Sequence, residues 1–277
     1  MSDLGTAWSP APAILAGAGL FLLLFAKAFR RLRRRGRADH AGWWRLVVFA
    51  LAVSLATLPL VSPLDGIGDS DLLSAHMLQH VLIGDAAPAL ALVALRGPLF
   101  FFLVTPALLL PLSRRHGLRR LVAFLLRPGV SLAAWALALA SWHVPAAYDL
   151  ALRHETVHDL EHLSFMLVGV LVWMQIVDPA RRGCLGASAR LTYMLVLVGA
   201  GAVLAAVLVV APAPLYPAYA SSGRLLGITP VRDQQLAGIV MLAEQLAAFS
   251  ICAAFLLRTR SLEPNRRARL SPAAVER

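Results

Sequence analysis

Seven long apolar runs dominate this chain of 277 residues. Each run is long enough, or nearly so, to cross the roughly 30 Å of hydrocarbon in a bilayer. Charged residues make up only 15% of the chain, which excludes a soluble fold because the surface of such a fold must face water. We therefore predict an all-α fold, a polytopic membrane helix bundle of about seven transmembrane helices. The runs lie near 8–29, 45–62, 72–95, 125–146, 156–177, 190–212 and 234–257.

The basic residues predict how this bundle is oriented. Blocks of Lys and Arg follow the first, third, fifth and seventh runs, which places 23 of the 26 basic residues on one side. Since cytoplasmic loops carry the excess of Lys and Arg, we predict the N-terminus outside and the C-terminus inside. The first run is interpreted as a retained helix. Its basic block follows the apolar residues, whereas in a signal peptide the basic residues come before the apolar residues. The net charge of +11 is therefore explained by the orientation of the chain in the membrane, and we predict no nucleic-acid partner.

The chain is predicted to form one transmembrane domain over residues 1–257, followed by a flexible cytoplasmic tail over residues 258–277. The apolar segment 99–112 is short, contains two prolines and has basic flanks. It is interpreted as a re-entrant segment on the inner side, where irregular backbone is tolerated if protein surrounds it. Cys184 and Cys252 form no CxxC motif, so any metal site must use other ligands.

Six of the eight histidines fall at the outer ends of the predicted helices. Residues four apart share one face of a helix, so two such pairs that face each other could supply imidazoles to one or two metal ions. The alternative is that each histidine only forms an interhelical hydrogen bond of modest energy. Because ionisable groups in a bilayer are costly and usually functional, we predict a metal site. Its predicted ligands are His76, His80, His143, His158 and His162.

Five further residues are predicted to support the site or to mark an ion path through the bundle. Asp85 follows His76 by nine residues and is expected on the opposite side of that helix. Glu244 follows Asp233 by eleven residues, which returns to nearly the same face. The two acids Asp85 and Glu244 could instead be a buried structural pair. Met could serve as a soft ligand for Cu(I) or simply pack in the core. The five residues are Asp233, Asp85, His154, Glu244 and Met166.

Four segments resemble the membrane-embedded CtaG family of cytochrome c oxidase assembly factors. The resemblance implies a seven-helix fold and a role in copper delivery or copper-centre maturation in haem–copper oxidases. It also implies that His76, His80, His143, His158, His162 and Asp233 are functional. The chain departs from the family after the last segment, where Leu242 and Ala243 replace an expected aromatic residue. The segments are SAHMLQHVLIGDAAPAL (74–90), SWHVPAAYDLAL (141–152), HDLEHLSFMLVGVLVWMQIVDP (158–179) and DQQLAGIVM (233–241).

The predicted function is that of an assembly factor, not an enzyme, in the bacterial plasma membrane, which binds copper at its outer face. Its predicted partners are the lipid bilayer and either a haem–copper oxidase subunit or an extracytoplasmic copper chaperone. Asp233 is expected to accept a hydrogen bond from the second ring nitrogen of a ligand. Two alternatives remain open at this point. One is a b-type haem electron carrier with His80 and His162 as axial ligands. The other is a copper or zinc transporter with Asp85 and Glu244 along its path.

Overall fold

The structure, a computed structural model, describes residues 8–9, 11–103, 111, 114–220 and 225–269. Within those ranges the chain is helical and contains no strand, as predicted. The helices are α1 (Pro12–Arg34), α2 (Trp43–Val61), α3 (Pro63–Ser70), α4 (Leu73–Leu95), α5 (Pro98–Phe102), α6 (His116–Leu125), α7 (Pro128–Trp142), α8 (Pro145–Arg153), α9 (Glu155–Val177), α10 (Ala187–Val210), α11 (Pro217–Ala220) and α12 (Pro230–Arg269).

Six of these helices are long and apolar enough to cross a membrane, namely α1, α2, α4, α9, α10 and α12. The pair α6 and α7 is bent by 74° and provides a seventh span if it is counted as one. This confirms the predicted bundle. The bend has a local cause, because Pro128 forces Arg127 out of the helical region, and Arg127 is extended with φ −75° and ψ 132°. The orientation of the termini stays a prediction.

Helices α4 and α9 form the centre of the bundle. Half of the apolar window in each is buried, against 17–28% in the other spanning helices. They meet at Gly84 and Gly169, where a Cβ atom on Gly169 would lie only 1.8 Å from the Gly84 carbonyl oxygen. Small residues let membrane helices approach this closely. The contact therefore fixes the spacing between the two helices that carry most of the histidines.

A single π-turn over Leu82–Ala86 interrupts α4. Pro88 explains it, because proline has no N–H to donate to the Gly84 carbonyl one turn earlier. Isolated π-turns of this kind occur often at functional sites. The turn follows the histidines of α4 and contains Gly84, the residue that contacts α9, so it sets which side chains beyond the histidines face the interior.

The other end of the bundle is basic. The Arg45 guanidinium donates hydrogen bonds to the carbonyls of Ala94 and Arg96, at 2.9 and 2.7 Å, and so ties α2 to the end of α4. Helix α5 overlaps the start of the segment 99–112 that was interpreted as re-entrant, but most of that segment falls outside the described residues. Helix α12 continues to Arg269, past residue 257, where the transmembrane domain was predicted to end.

The segment between α10 and α12 covers the end of the bundle that carries the histidines. Tyr216 and Tyr219 from this loop are buried against Tyr148 of α8. The Tyr216 hydroxyl donates to the His143 carbonyl at 3.2 Å, and the Tyr219 hydroxyl donates to the Gly68 carbonyl. Burial raises the pKa of all three tyrosines, so their hydroxyls stay protonated and hold the cover in place.

Candidate metal centre

Helices α4 and α9 supply the candidate metal centre. His76 and His80 lie one turn apart on α4, and His158 and His162 lie one turn apart on α9. Ring centroids are 4.3 Å apart within the first pair, 4.2 Å within the second, and 5.1 Å between His80 and His162. One ring nitrogen from each residue lies within 4.8 Å of the other three. We refer to these residues as the four-histidine group.

The group is buried, yet many of its ring nitrogens lack partners. His76 is fully buried, and His80 and His162 are each 6% exposed. Among the described residues, both nitrogens of His76 and His80 and the Nε2 atoms of His158 and His162 are buried without a hydrogen-bond partner. Each such atom costs about 1–3 kcal/mol. Three of the six lie 3.5–3.7 Å from a carboxylate oxygen, which is longer than a normal hydrogen bond. The set as a whole therefore indicates a ligand that pairs with these nitrogens.

The donor set fits a transition-metal ion. Imidazole nitrogen is a ligand for copper, zinc, iron and nickel. Four nitrogens at about 2.0–2.1 Å from one tetrahedral ion lie about 3.3 Å from each other. The present separations of up to 4.8 Å would therefore have to contract by about 1.5 Å at most, which rotation of the imidazole side chains can supply.

Two carboxylates flank the group, and sequence reasoning missed both. Asp69 Oδ1 lies 3.5 Å from His76 Nδ1 and 3.6 Å from His158 Nε2. Glu161 Oε1 lies 3.7 Å from His80 Nε2. The Glu161 side chain is 1% exposed, and neither of its oxygens forms a hydrogen bond in the described part of the chain. Both can balance the charge of a bound cation. The available signal for Glu161 was the string HDLEH, which places an acid directly beside a ligand.

His143, predicted as a fifth ligand, lies outside the four-histidine group. It follows the C-terminus of α7 and is 8% exposed, and both it and His80 contact the ring of Phe165. The His143 Nδ1 atom is 2.8 Å from the Leu139 carbonyl oxygen, so Nδ1 must carry the proton. Its Nε2 atom therefore keeps a free lone pair, and that atom is buried without a partner in the described chain. Fixing the tautomer in this way is typical of metal-binding histidines.

His143 faces a cavity of about 70 Å³ that lies below His80, on the side away from the covering loop. We call it the carboxyl cavity, because Asp85 and Glu244 line it and their carboxyl groups are hydrogen-bonded to each other. Asp85 also accepts a hydrogen bond from the indole Nε1 of Trp173. The two acids predicted to mark an ion path are thus brought together beside two histidines.

The prediction that Asp85 points away from the histidine side of α4 is corrected here. In a regular α-helix, five residues advance about 500°, which would leave Asp85 about 140° from His80. The intervening π-turn over Leu82–Ala86 is wider, so each residue advances less around the axis. Asp85 consequently lines the same cavity as His80.

Asp233 has a different role from the one predicted. Its oxygens accept hydrogen bonds from the backbone N–H of Leu73 at 2.6 Å, from that of Ser74 at 3.1 Å and from the Ser74 hydroxyl. These are the first N–H groups of α4, which have no partner within the helix. Asp233 is 2% exposed. It therefore fixes the start of the helix that bears His76 and His80, and does not orient an imidazole ring.

The two remaining predicted residues lie beside the group without joining it. His154 is exposed and precedes the first turn of α9. Met166 is partly buried and lines a groove with His162 on the side that faces α1 and α2. Neither contributes an atom to the four-histidine group.

Comparison with known families supports the resemblance seen in the sequence. The family model described as cytochrome c oxidase caa3 assembly factor matches residues 23–261, which is the majority of the chain and includes every residue of the candidate site. No curated protein and no solved structure matches the chain.

Proposed function

We propose, because this chain belongs to the family of cytochrome c oxidase caa3 assembly factors, that it binds a copper ion in the four-histidine group and passes it to an oxidase during assembly. Copper is cargo in this proposal, and the chain acts as an assembly protein and not as an enzyme. The proposal places it in the bacterial plasma membrane, with a haem–copper oxidase subunit or an extracytoplasmic copper chaperone as partner.

The observation that carries the proposal is the set of unpartnered imidazole nitrogens. Six buried ring nitrogens converge from two helices without a hydrogen-bond partner in the described residues. Neutral imidazoles bind copper well, and Glu161 and Asp69 lie close enough to offset the charge of the ion. A group with no tightly paired ring nitrogen can also release its ion one bond at a time.

The geometry favours a bare ion over haem. Axial ligands of one haem must stand on opposite sides of a porphyrin, with the macrocycle between them. The rings of His80 and His162 lie edge to face with centroids 5.1 Å apart. His76 and His158 occupy the adjoining positions, with ring centroids 5.2 Å from each other, which leaves no space for a macrocycle.

A transporter is the second candidate function, and the carboxyl cavity beneath the group is the observation that favours it. Transport requires flux of copper across the bilayer, whereas assembly requires only delivery to a client on the same side. Copper uptake into sealed proteoliposomes separates the two, because an assembly factor should give none above that of empty liposomes.

The proposal is tested by oxidase maturation in a bacterium that lacks its own member of this family. Cells are complemented with the wild-type chain, His162→Ala or His154→Ala, with membrane abundance checked by immunoblot. His162→Ala should lower the copper content per haem of the oxidase to that of cells without the factor. His154→Ala is the matched control, since His154 is an exposed histidine on the same helix end, and it should restore full copper content. Full restoration by His162→Ala at equal abundance would contradict the proposal.

A further inference from the structure

We propose that the groove between α1 and α2, at the basic end of the bundle, binds an anionic phospholipid whose phosphate is held by Arg30 and Arg34. The groove has a volume of about 560 Å³, and Ala26, Trp43 and Leu46 form part of its apolar lining. The site goes beyond the proposed function, because it involves no metal ion and lies at the opposite end of the bundle from the four-histidine group.

One face of α1 changes from apolar to cationic along the helix. Leu20 and Leu23 on this face are 56% and 70% exposed. Basic residues follow them at the spacing of three and four that keeps side chains on one face. A phospholipid has the same polarity, with apolar chains toward the middle of the bilayer and a charged headgroup at its surface. The face therefore matches such a lipid in chemistry and in direction. Its basic residues, all exposed, are Lys27, Arg30, Arg31, Arg34 and Arg35.

A second groove lies beside α1 and shares part of its lining with the first. Ala26, Arg30 and Arg34 line both grooves, and the second, of about 810 Å³, continues past Leu23 to Leu20. Arg30 and Arg34 lie one turn apart, so their guanidinium groups can approach one phosphate together. A lipid with two acyl chains can therefore place one chain in each groove while its phosphate stays between the two arginines.

The protein does not balance the positive charge of the groove. Within the described chain, no carboxylate forms an ion pair with Arg30, Arg33 or Arg34. Arg33 is held over the Trp43 ring at 4.8 Å and donates a hydrogen bond to the Ala41 carbonyl at 3.0 Å. A guanidinium has five N–H donors in a fork that matches phosphate, so Arg33 keeps donors for a headgroup. Topology explains why basic residues lie at this end, but it does not require that they line a groove with an apolar wall.

The test is lipid binding to the delipidated full chain in detergent, followed by native mass spectrometry. Dioleoyl-phosphatidylglycerol is compared with dioleoyl-phosphatidylcholine, which has the same acyl chains and no net charge. The wild-type chain should bind the anionic lipid saturably and more tightly. Arg30→Gln/Arg34→Gln should weaken that binding about thirtyfold, because each basic residue near a membrane surface contributes about fivefold. Arg119→Gln/Arg120→Gln is the matched control, since it removes the same charge from exposed residues of α6 that line neither groove, and it should bind like the wild type.

Ala26→Trp tests the grooves without a change in charge. A large side chain at Ala26 would fill space that both acyl chains need, so this variant should also lose affinity for phosphatidylglycerol. It decides the matter if the double arginine variant does not insert into the membrane. Equal affinity of the wild-type chain for the two lipids would overturn the site, as would wild-type binding by Ala26→Trp or equal binding by the two double variants. Displacement of the lipid by an equal concentration of glycerol 3-phosphate would show that phosphate alone is recognised, and would also overturn it.

Discussion

Replacing Gly169 with Ala should force apart the two helices that carry the four-histidine group. The new Cβ atom would lie 1.8 Å from the Gly84 carbonyl oxygen and 2.9 Å from its carbon. Real Cβ atoms essentially never come closer than 3.0 Å to another heavy atom, so α4 and α9 must separate locally by about 1.2 Å. Overpacking of this kind costs about 1–3 kcal/mol.

The same displacement should reach the metal centre. The two histidine pairs belong to the two helices that separate, so the displacement adds to the contraction of about 1.5 Å that the imidazole side chains already have to supply. Metal–ligand distances tolerate deviations of only about 0.2 Å. We therefore expect the affinity for copper to fall at least about tenfold, which is about 1.4 kcal/mol of binding free energy.

The assay compares Gly169→Ala with Gly199→Ala, in thermal unfolding and in copper affinity of the detergent-purified chain. Gly199 lies on α10, and a Cβ atom there would meet nothing within 4 Å. The control should therefore be neutral or gain up to about 1 kcal/mol from reduced backbone entropy in the unfolded state. If Gly169→Ala matches Gly199→Ala in both measurements, the glycine contact does not set the geometry of the site.

Three other predictions concern single features. Asp233→Ala should destabilise the chain by about 1–3 kcal/mol in thermal unfolding, because the first N–H groups of α4 lose their acceptor, and an unchanged midpoint would refute the capping role. Glu161→Gln should weaken copper binding about 10–100-fold, because the variant loses a charge beside the ligands that balances the charge of the ion. Glu155→Gln should have no effect, and equal copper affinities for the two variants would show that Glu161 does not belong to the site. Reporter fusions after Arg37 should give a cytoplasmic signal and fusions in the loop 213–230 an external one, as the positive-inside rule requires, and the reverse pattern would invert the predicted topology.

The sequence was sufficient for the spans and for the histidine pairs. Hydropathy reveals a spanning helix directly, because every backbone polar group in lipid must be satisfied within the helix. The four-residue spacing of His76 and His80, and of His158 and His162, places each pair on one face. That the two faces meet follows from Gly84 and Gly169, whose role emerges only once α4 and α9 are paired.

The remaining features depended on tertiary structure. The π-turn moved Asp85 to the side of His80, and helical periodicity carries no trace of it. Asp233 is 160 residues from the N–H group of Leu73 that it caps, so the sequence around it cannot show the partner. His143 follows the last residue of α7 and lines the carboxyl cavity with side chains from α4 and α12, a neighbourhood that only the packing of the helices reveals.

Binding of Cu(I) to the purified chain tests the central claim most directly, because soft Cu(I) should not be drawn to the carboxylates of the carboxyl cavity. Wild type, His76→Ala and His154→Ala are titrated in detergent against a chromogenic competitor. The four-histidine group predicts one ion per wild-type chain, an affinity at least about tenfold lower for His76→Ala, and wild-type binding for His154→Ala. Equal Cu(I) affinity in all three proteins would contradict it.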